Sequence, residues 1–134
     1  HCFVLQPRGT TGYCHRIICA QDYSAVTAAC MMVKHSAFEE VGGLTEELAV
    51  AFNDIDFCMK LRTAGYLIVY NPYAELYHYE SKSRGLEDTP EKVARFNKEI
   101  QIFERRWPDI MRDGDPYYNP NLTLKSQDFS LKRI

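Results

Sequence analysis

No apolar run in the 134 residues approaches the roughly 20 needed to cross a bilayer, and no signal peptide is visible. Neither sign of charge dominates. A net charge of -2 and a pI near 6.1 argue against the basic face that a nucleic-acid partner requires, so no nucleic acid is expected. The five cysteines are odd in number and never fall in C-x-x-C spacing, which disfavours both a disulfide framework and a zinc site. Cys30 and Cys58 lie among apolar neighbours and read as small buried thiols, and the set as a whole reads as reduced and cytoplasmic. That compartment argues against use of the glycosylation acceptor Asn121-Leu122-Thr123. A Gly-rich phosphate loop, a nucleophile elbow, internal repeats and low-complexity tracts are all missing. The first residue is His1 rather than Met, which is read as a fragment or a processed product.

What is present suffices for one folded unit. Hydrophobic residues make up 46% and charged residues 25%, and a chain of this length buries about two-thirds of its unfolded surface. Residues 1–22, with "QPRGTTGY", read as a loop-rich lead-in. "SAVTAACMMV", residues 24–33, is continuously apolar with β-branched members and predicts a buried strand. Ser36 and Glu39 form a capping box for a short helix over about 37–41, with Gly42 as the residue past its end. A second helix from Ile55 to Gly65 places Phe57, Cys58 and Leu61 on one face and turns Lys60 and Arg62 to water. "YLIVYNP" predicts a strand stopped by Pro72, "AELYHYE" another, and "SKSRGLEDT" a polar loop. Thr89 and Pro90 open the longest helix, whose Val93, Phe96, Ile100, Phe103 and Trp107 form one apolar stripe, ended by Pro108. The remaining tail is rich in turn residues and is expected to drape over the surface. Strands and helices alternate, so the class is α/β.

Three groups of residues suggest chemistry, each with a plainer reading beside it. Asp54 and Asp56, next to Asn53, stand where a helix begins. They serve either as helix cap and dipole partner, or as a carboxylate projected into a cleft to take a proton. His78 lies among aromatics near the end of an expected strand, as a structural residue or as a ligand for a hard divalent ion. Ser81, Lys82, Ser83 and Arg84 are either a solvated loop or a clamp for phosphate oxygens.

The ordered pieces "VT-x-AC", "FEEVGG", the acidic pair before "C-x-K-LR-x-AGY", and "YHYESKSRG" span residues 22–85. In that order they resemble the carboxyl-terminal half of a family-2 glycosyltransferase domain of GT-A fold, a Rossmann-like nucleotide-diphospho-sugar transferase. The following "EDTPEKVARF" and "YNPNLTL" are similar to the ending of bacterial members that build O-antigen and other cell-surface polysaccharides. The resemblance implies a lead-in over 1–22, an acceptor-side half over 23–88, and a long carboxyl-terminal helix with its tail over 89–134.

It also implies roles. Asp54 would be the general base and Asp56 the supporting carboxylate. Asn53 stands where many such enzymes carry Glu, and with Phe52 it would lie on the acceptor side. His78 would help hold a divalent cation, Mg or Mn, while Ser83 and Arg84 would close over the donor diphosphate. Ala28 replaces a glycine common beside the donor sugar. A D-x-D motif after an apolar strand is absent, and "DID" at 54–56 opens a helix instead, so the nucleotide-binding half is expected in a longer parent. The implied reaction is inverting transfer from a nucleotide-diphospho-sugar to a glycan or lipid-linked acceptor, at the inner face of the membrane. The chain alone is expected to be inactive and to self-associate. The other readings are a non-catalytic carbohydrate- or partner-binding module, and a metal-dependent hydrolase using Asp54, Asp56 and His78.

Overall fold

The computed structural model describes residue 3 and residues 6–79, 89–126 and 129–132. Among them are two short strands, β1 (Gln21–Tyr23) and β2 (Ile68–Tyr70), which pair antiparallel with Asp22 opposite Val69. Four helices follow the chain: α1 (His35–Glu40), α2 (Asn53–Thr63), α3 (Pro90–Arg106) and α4 (Pro108–Asp113). The protein is therefore a small mixed α/β unit built around α2. Asp56, Phe57, Cys58, Met59 and Leu61 of that helix are all buried. Phe57, Cys58, Met59 and Leu61 form the main apolar core with Ala37 and Ile68, flanked by Phe38, Ile55 and Trp107.

Several local signals act as expected. Thr89 caps α3, its hydroxyl accepting from the Lys92 N–H, and Pro90 takes the first helical position, where its missing donor costs nothing. Gly42 adopts a positive φ of 73° just past α1. Gly43 follows at 62°, and a Cβ there would meet the Phe38 ring at 2.9 Å. Its carbonyl accepts from the Lys60 ammonium, which ties the turn to α2.

Other expectations fail for reasons of packing. Residues 24–33 do not form a strand. Thr27 accepts from the Ala29 N–H and starts a turn of 3₁₀ helix over Ala28–Cys30, whose residues are exposed, so Cys30 is not a buried thiol. Residues 74–79 are also irregular and exposed. A strand exists only where a neighbour accepts its ladder, and β2 takes β1 instead. Ser36 lies inside α1, which starts at His35 with no side-chain cap. Lys60 and Arg62 do not face open water. α2 is enclosed on most sides, so Lys60 reaches Gly43 and Thr45 while Arg62 donates to the Ser24 hydroxyl. On α3, Val93 and Phe96 are largely exposed, and the buried face is centred on Glu99, Ile102 and Phe103.

Pro108 stops α3 but also opens α4, because a fixed φ and a missing N–H suit a first turn. The tail does more than drape. Leu122 and Phe129 are buried, and Phe129 stacks on Phe3 and Tyr13 with ring centroids 4.9 and 5.0 Å apart. Asp115 accepts from the Ser24 hydroxyl, so the tail closes onto the lead-in segment and β1.

Candidate active site

The first turn of α2 carries the acidic pair, and its approach is unusual. Phe52, the residue before the helix, sits in the left-handed region at φ 63° and ψ 0°. That conformation costs a non-glycine residue on the order of 1 kcal/mol, so surrounding contacts must hold it. The Phe52 ring lies 5.6 Å from the Phe96 ring and 5.4 Å from the Phe103 ring, both on α3. The preceding Ala51 N–H donates to Glu99 Oε2 at 2.6 Å.

Asp54 is consequently not the cap. It occupies the second helical position, where one carboxylate oxygen accepts from the Ile55 N–H at 2.9 Å and the other from the Ala28 N–H at 3.2 Å. The side chain is half-buried. The two backbone donors fix the carboxylate at the helix start and leave lone pairs for a further donor. The contact also joins the 3₁₀ turn at Ala28 to the start of α2.

Asp56 is two residues on, roughly 200° around the helix, and its environment is the opposite. It is fully buried. One oxygen accepts from Arg106 Nε at 2.8 Å and Trp107 Nε1 at 2.9 Å, the other from the Thr45 hydroxyl at 2.6 Å. Lys60 Nζ stands 3.9 Å from that second oxygen. Burial alone would push this carboxyl up. The hydrogen bonds from Thr45, Arg106 and Trp107, with the Arg106 charge, outweigh it and hold the group below its ordinary 3.8. A carboxylate so fully engaged can orient its surroundings but has no opening toward a substrate.

The other candidates are more dispersed. Asn53 is the first residue of α2 and half-buried, and Phe52 faces α3. His78 is exposed on the irregular stretch after β2, between exposed Tyr77 and Tyr79. There Arg8 donates to the Tyr77 hydroxyl at 2.8 Å and pairs with Glu75 at 2.9 Å. Ser83 and Arg84 lie outside the described residues. The described residues contain no group of three or more His, Cys, Asp or Glu able to hold a metal ion.

Sequence reasoning missed the residues that support the site. Glu99 interrupts an apolar helical face, and that break was its only signal. Arg106, Trp107 and Thr45 reach Asp56 across the chain with none. Among the described residues no helix is long and apolar enough to cross a membrane.

No family model matches the chain, and no solved structure matches it significantly. Curated proteins do. A stretch of "Uncharacterized protein y4gI" from Sinorhizobium fredii is 55% identical over 132 residues, 98% of this chain and 14% of that protein. The "O-antigen biosynthesis protein RfbC" of Myxococcus xanthus is 34% identical over 113 residues, 84% of this chain and 8% of that protein. An "N-acetylglucosaminyl-diphospho-decaprenol L-rhamnosyltransferase" of Mycobacterium tuberculosis is 36% identical over 78 residues, 58% of this chain and 25% of that protein. The chain thus spans a quarter or less of the length of each of these relatives, two of which carry names from O-antigen biosynthesis and rhamnosyl transfer.

Proposed function

We propose that this chain is the acceptor-side half of an inverting family-2 glycosyltransferase domain of GT-A fold, acting in cell-surface polysaccharide synthesis. The observation that carries the reading is Asp54. It is a half-buried carboxylate held by two backbone N–H groups, whereas its neighbour Asp56 is sealed away. Asp54 accepts the proton of an acceptor hydroxyl. The freed oxygen bonds to the anomeric carbon of the donor sugar from the far side, and the bond from that carbon to the nucleoside diphosphate breaks. The proton ends on Asp54, the electron pair on the diphosphate, and the configuration inverts. Asn53 borders the acceptor and Ser83 and Arg84 pair with diphosphate oxygens, while Phe52, whose ring packs on Phe96 and Phe103, holds the turn before them.

A divalent cation, Mg or Mn, belongs to the same reading and supplies charge neutralisation on the diphosphate when bound, with His78 as the ligand assigned to this chain. In this reading nucleotide binding belongs to a longer protein, and the chain alone is inactive. The names of two relatives support a sugar donor and an acceptor in general. In this reading the acceptor is a glycan or is lipid-linked, and it is met at the inner face of the membrane.

The test is Asp54→Asn in the longer protein. Asn keeps one of the two acceptor oxygens, so the thermal midpoint should fall only slightly. Loss of a positioned base should cut turnover by roughly 10²–10⁴-fold, with donor affinity little changed. Near-wild-type turnover would remove Asp54 from the mechanism. A second reading rests on the exposed rings of Tyr73, Tyr77 and Tyr79, which suit stacking on sugars in a non-catalytic carbohydrate-binding module. Glycan binding without transfer from any nucleotide-diphospho-sugar would favour it.

A further inference from the structure

Glu99 on α3 has no part in the proton transfer, yet it holds the residue next to Phe52, the strained residue before the acidic pair. Glu99 is 2% exposed and sits on the buried face of the helix with Ile102 and Phe103. Its carboxylate is 3.9 Å from Arg95 one turn earlier, and it accepts the Ala51 N–H. Phe96 and Phe103, one turn to either side, bracket the Phe52 ring. Two consecutive residues of the approach to α2 are therefore gripped by one face of α3, one by its backbone and one by its ring. A third tether follows, where Arg106 and Trp107 at the end of α3 bond Asp56. Asp54 lies between these tethers and points away from them, to the Ala28 N–H.

We propose that α3 positions the Asp54 carboxylate from behind, with Glu99 and the Phe96–Phe52–Phe103 stack holding the left-handed turn that aims it. Three features favour positioning over plain packing. The turn is one a phenylalanine resists, so releasing it lets the backbone relax and redirects the residues just after it. A buried carboxyl group placed on one backbone N–H is more than a turn requires, and at 2.6 Å the contact is short and directional. Phe96 is 40% exposed, so it adds little to the core while completing the stack. The inference rests on the reading of Asp54 as the base. Its main readout does not, because the Asp54–Ala28 contact exists whatever the reaction.

That contact is read by the Ala28 amide proton resonance in this chain, calibrated with Asp54→Ala, which gives the position of an amide without its acceptor. Glu99→Ala and Phe96→Ala should each move the resonance most of the way to the Asp54→Ala position while the far-ultraviolet circular dichroism stays native. Glu99→Gln retains an oxygen for the Ala51 N–H and should recover most of what alanine loses. Phe96→Ala removes an exposed ring, so it keeps the question open to refutation even if Glu99→Ala fails to fold. An Ala28 resonance at its wild-type position in folded Phe96→Ala or Glu99→Ala overturns the proposal. In the longer protein the same variants should lower kcat by about tenfold to a hundredfold with the donor KM unchanged, as a base misplaced by about 1 Å would. Equal loss in kcat and in donor binding would mark a general structural defect and overturn positioning. A wild-type protein with no transferase activity would defeat the proposed function, while the Ala28 resonance would still decide whether α3 aims Asp54.

Discussion

The two sides of α2 are built on opposite plans. Toward α3 the helix is sealed. Asp56 is saturated by Thr45, Arg106 and Trp107, Lys60 closes on Gly43, and Glu99 holds the approach through Ala51. Toward β2 it opens. A groove of about 270 Å³ runs past Cys58 and Leu61, lined by Val26, Met31, Met32 and Leu67. Met32 is 100% exposed, Leu67 65% and Val69 58%. The sealed side spends buried charge on holding a geometry, and the open side leaves apolar surface in water. A domain selected only for its own stability would do neither. The first side fits a scaffold for Asp54, and the second leaves room for contacts this chain does not make with itself.

Breaking the sealed side should have the largest effect. Asp56→Ala leaves the Thr45 hydroxyl and the Trp107 N–H without their acceptor and the partly exposed Arg106 without its partner, and stranding buried donors in this way costs about 1–3 kcal/mol. The denaturant midpoint should fall accordingly, with α2 and α3 losing protection against amide exchange together. A loss under about 1 kcal/mol would show that solvent reaches the network, and the contrast between the two sides would disappear.

Much of this plan could not be read from the residues alone. Thr89, Pro90 and Gly42 announce helix boundaries because each acts within one turn of itself. The same local logic mistook Asp54 for the cap, since nothing near Phe52 in sequence says that rings 44 and 51 residues later will hold it left-handed. Apolar residues at 24–33 looked like a strand because a run of that kind is a strand only when a neighbour accepts its ladder, and no local signal identifies the neighbour. Glu99 carries no such signal, because apolar residues alone define the stripe on α3 and a buried carboxylate reads as its polar edge. The acidic pair was legible as a pair. The division of labour between its members was not, because it comes from Thr45, Arg106 and Trp107, of which the last two lie 50 and 51 residues from Asp56.

A smaller effect sharpens the same contrast through pH. The folded-state value of Asp56 lies below its ordinary 3.8, so its charge contributes stability that is fully present above the unfolded value. That contribution is lost as pH falls through the folded value. Asp56→Asn cannot titrate. The gap in stability between wild type and Asp56→Asn should therefore be constant above about pH 5 and narrow steadily below about pH 4. Chemical denaturation of both proteins across that range measures it. A gap that stays constant into strong acid would mean the Asp56 network does not depend on the charge.

The smallest effect is expected on the open side, where its small size is informative. Met32 and Leu67 already meet water, so Met32→Gln and Leu67→Gln remove apolar surface that folding does not bury. Exposed positions away from caps, strained turns and networks usually change stability by less than about 0.5 kcal/mol. The midpoint of dilute protein should stay within that margin, and sedimentation at rising concentration should show less association in the variants than in wild type. Should either substitution cost more than about 1 kcal/mol in dilute monomer, the side chain is covered in solution. The groove would then belong to the core of this chain, and the sealed and open sides of α2 would be alike.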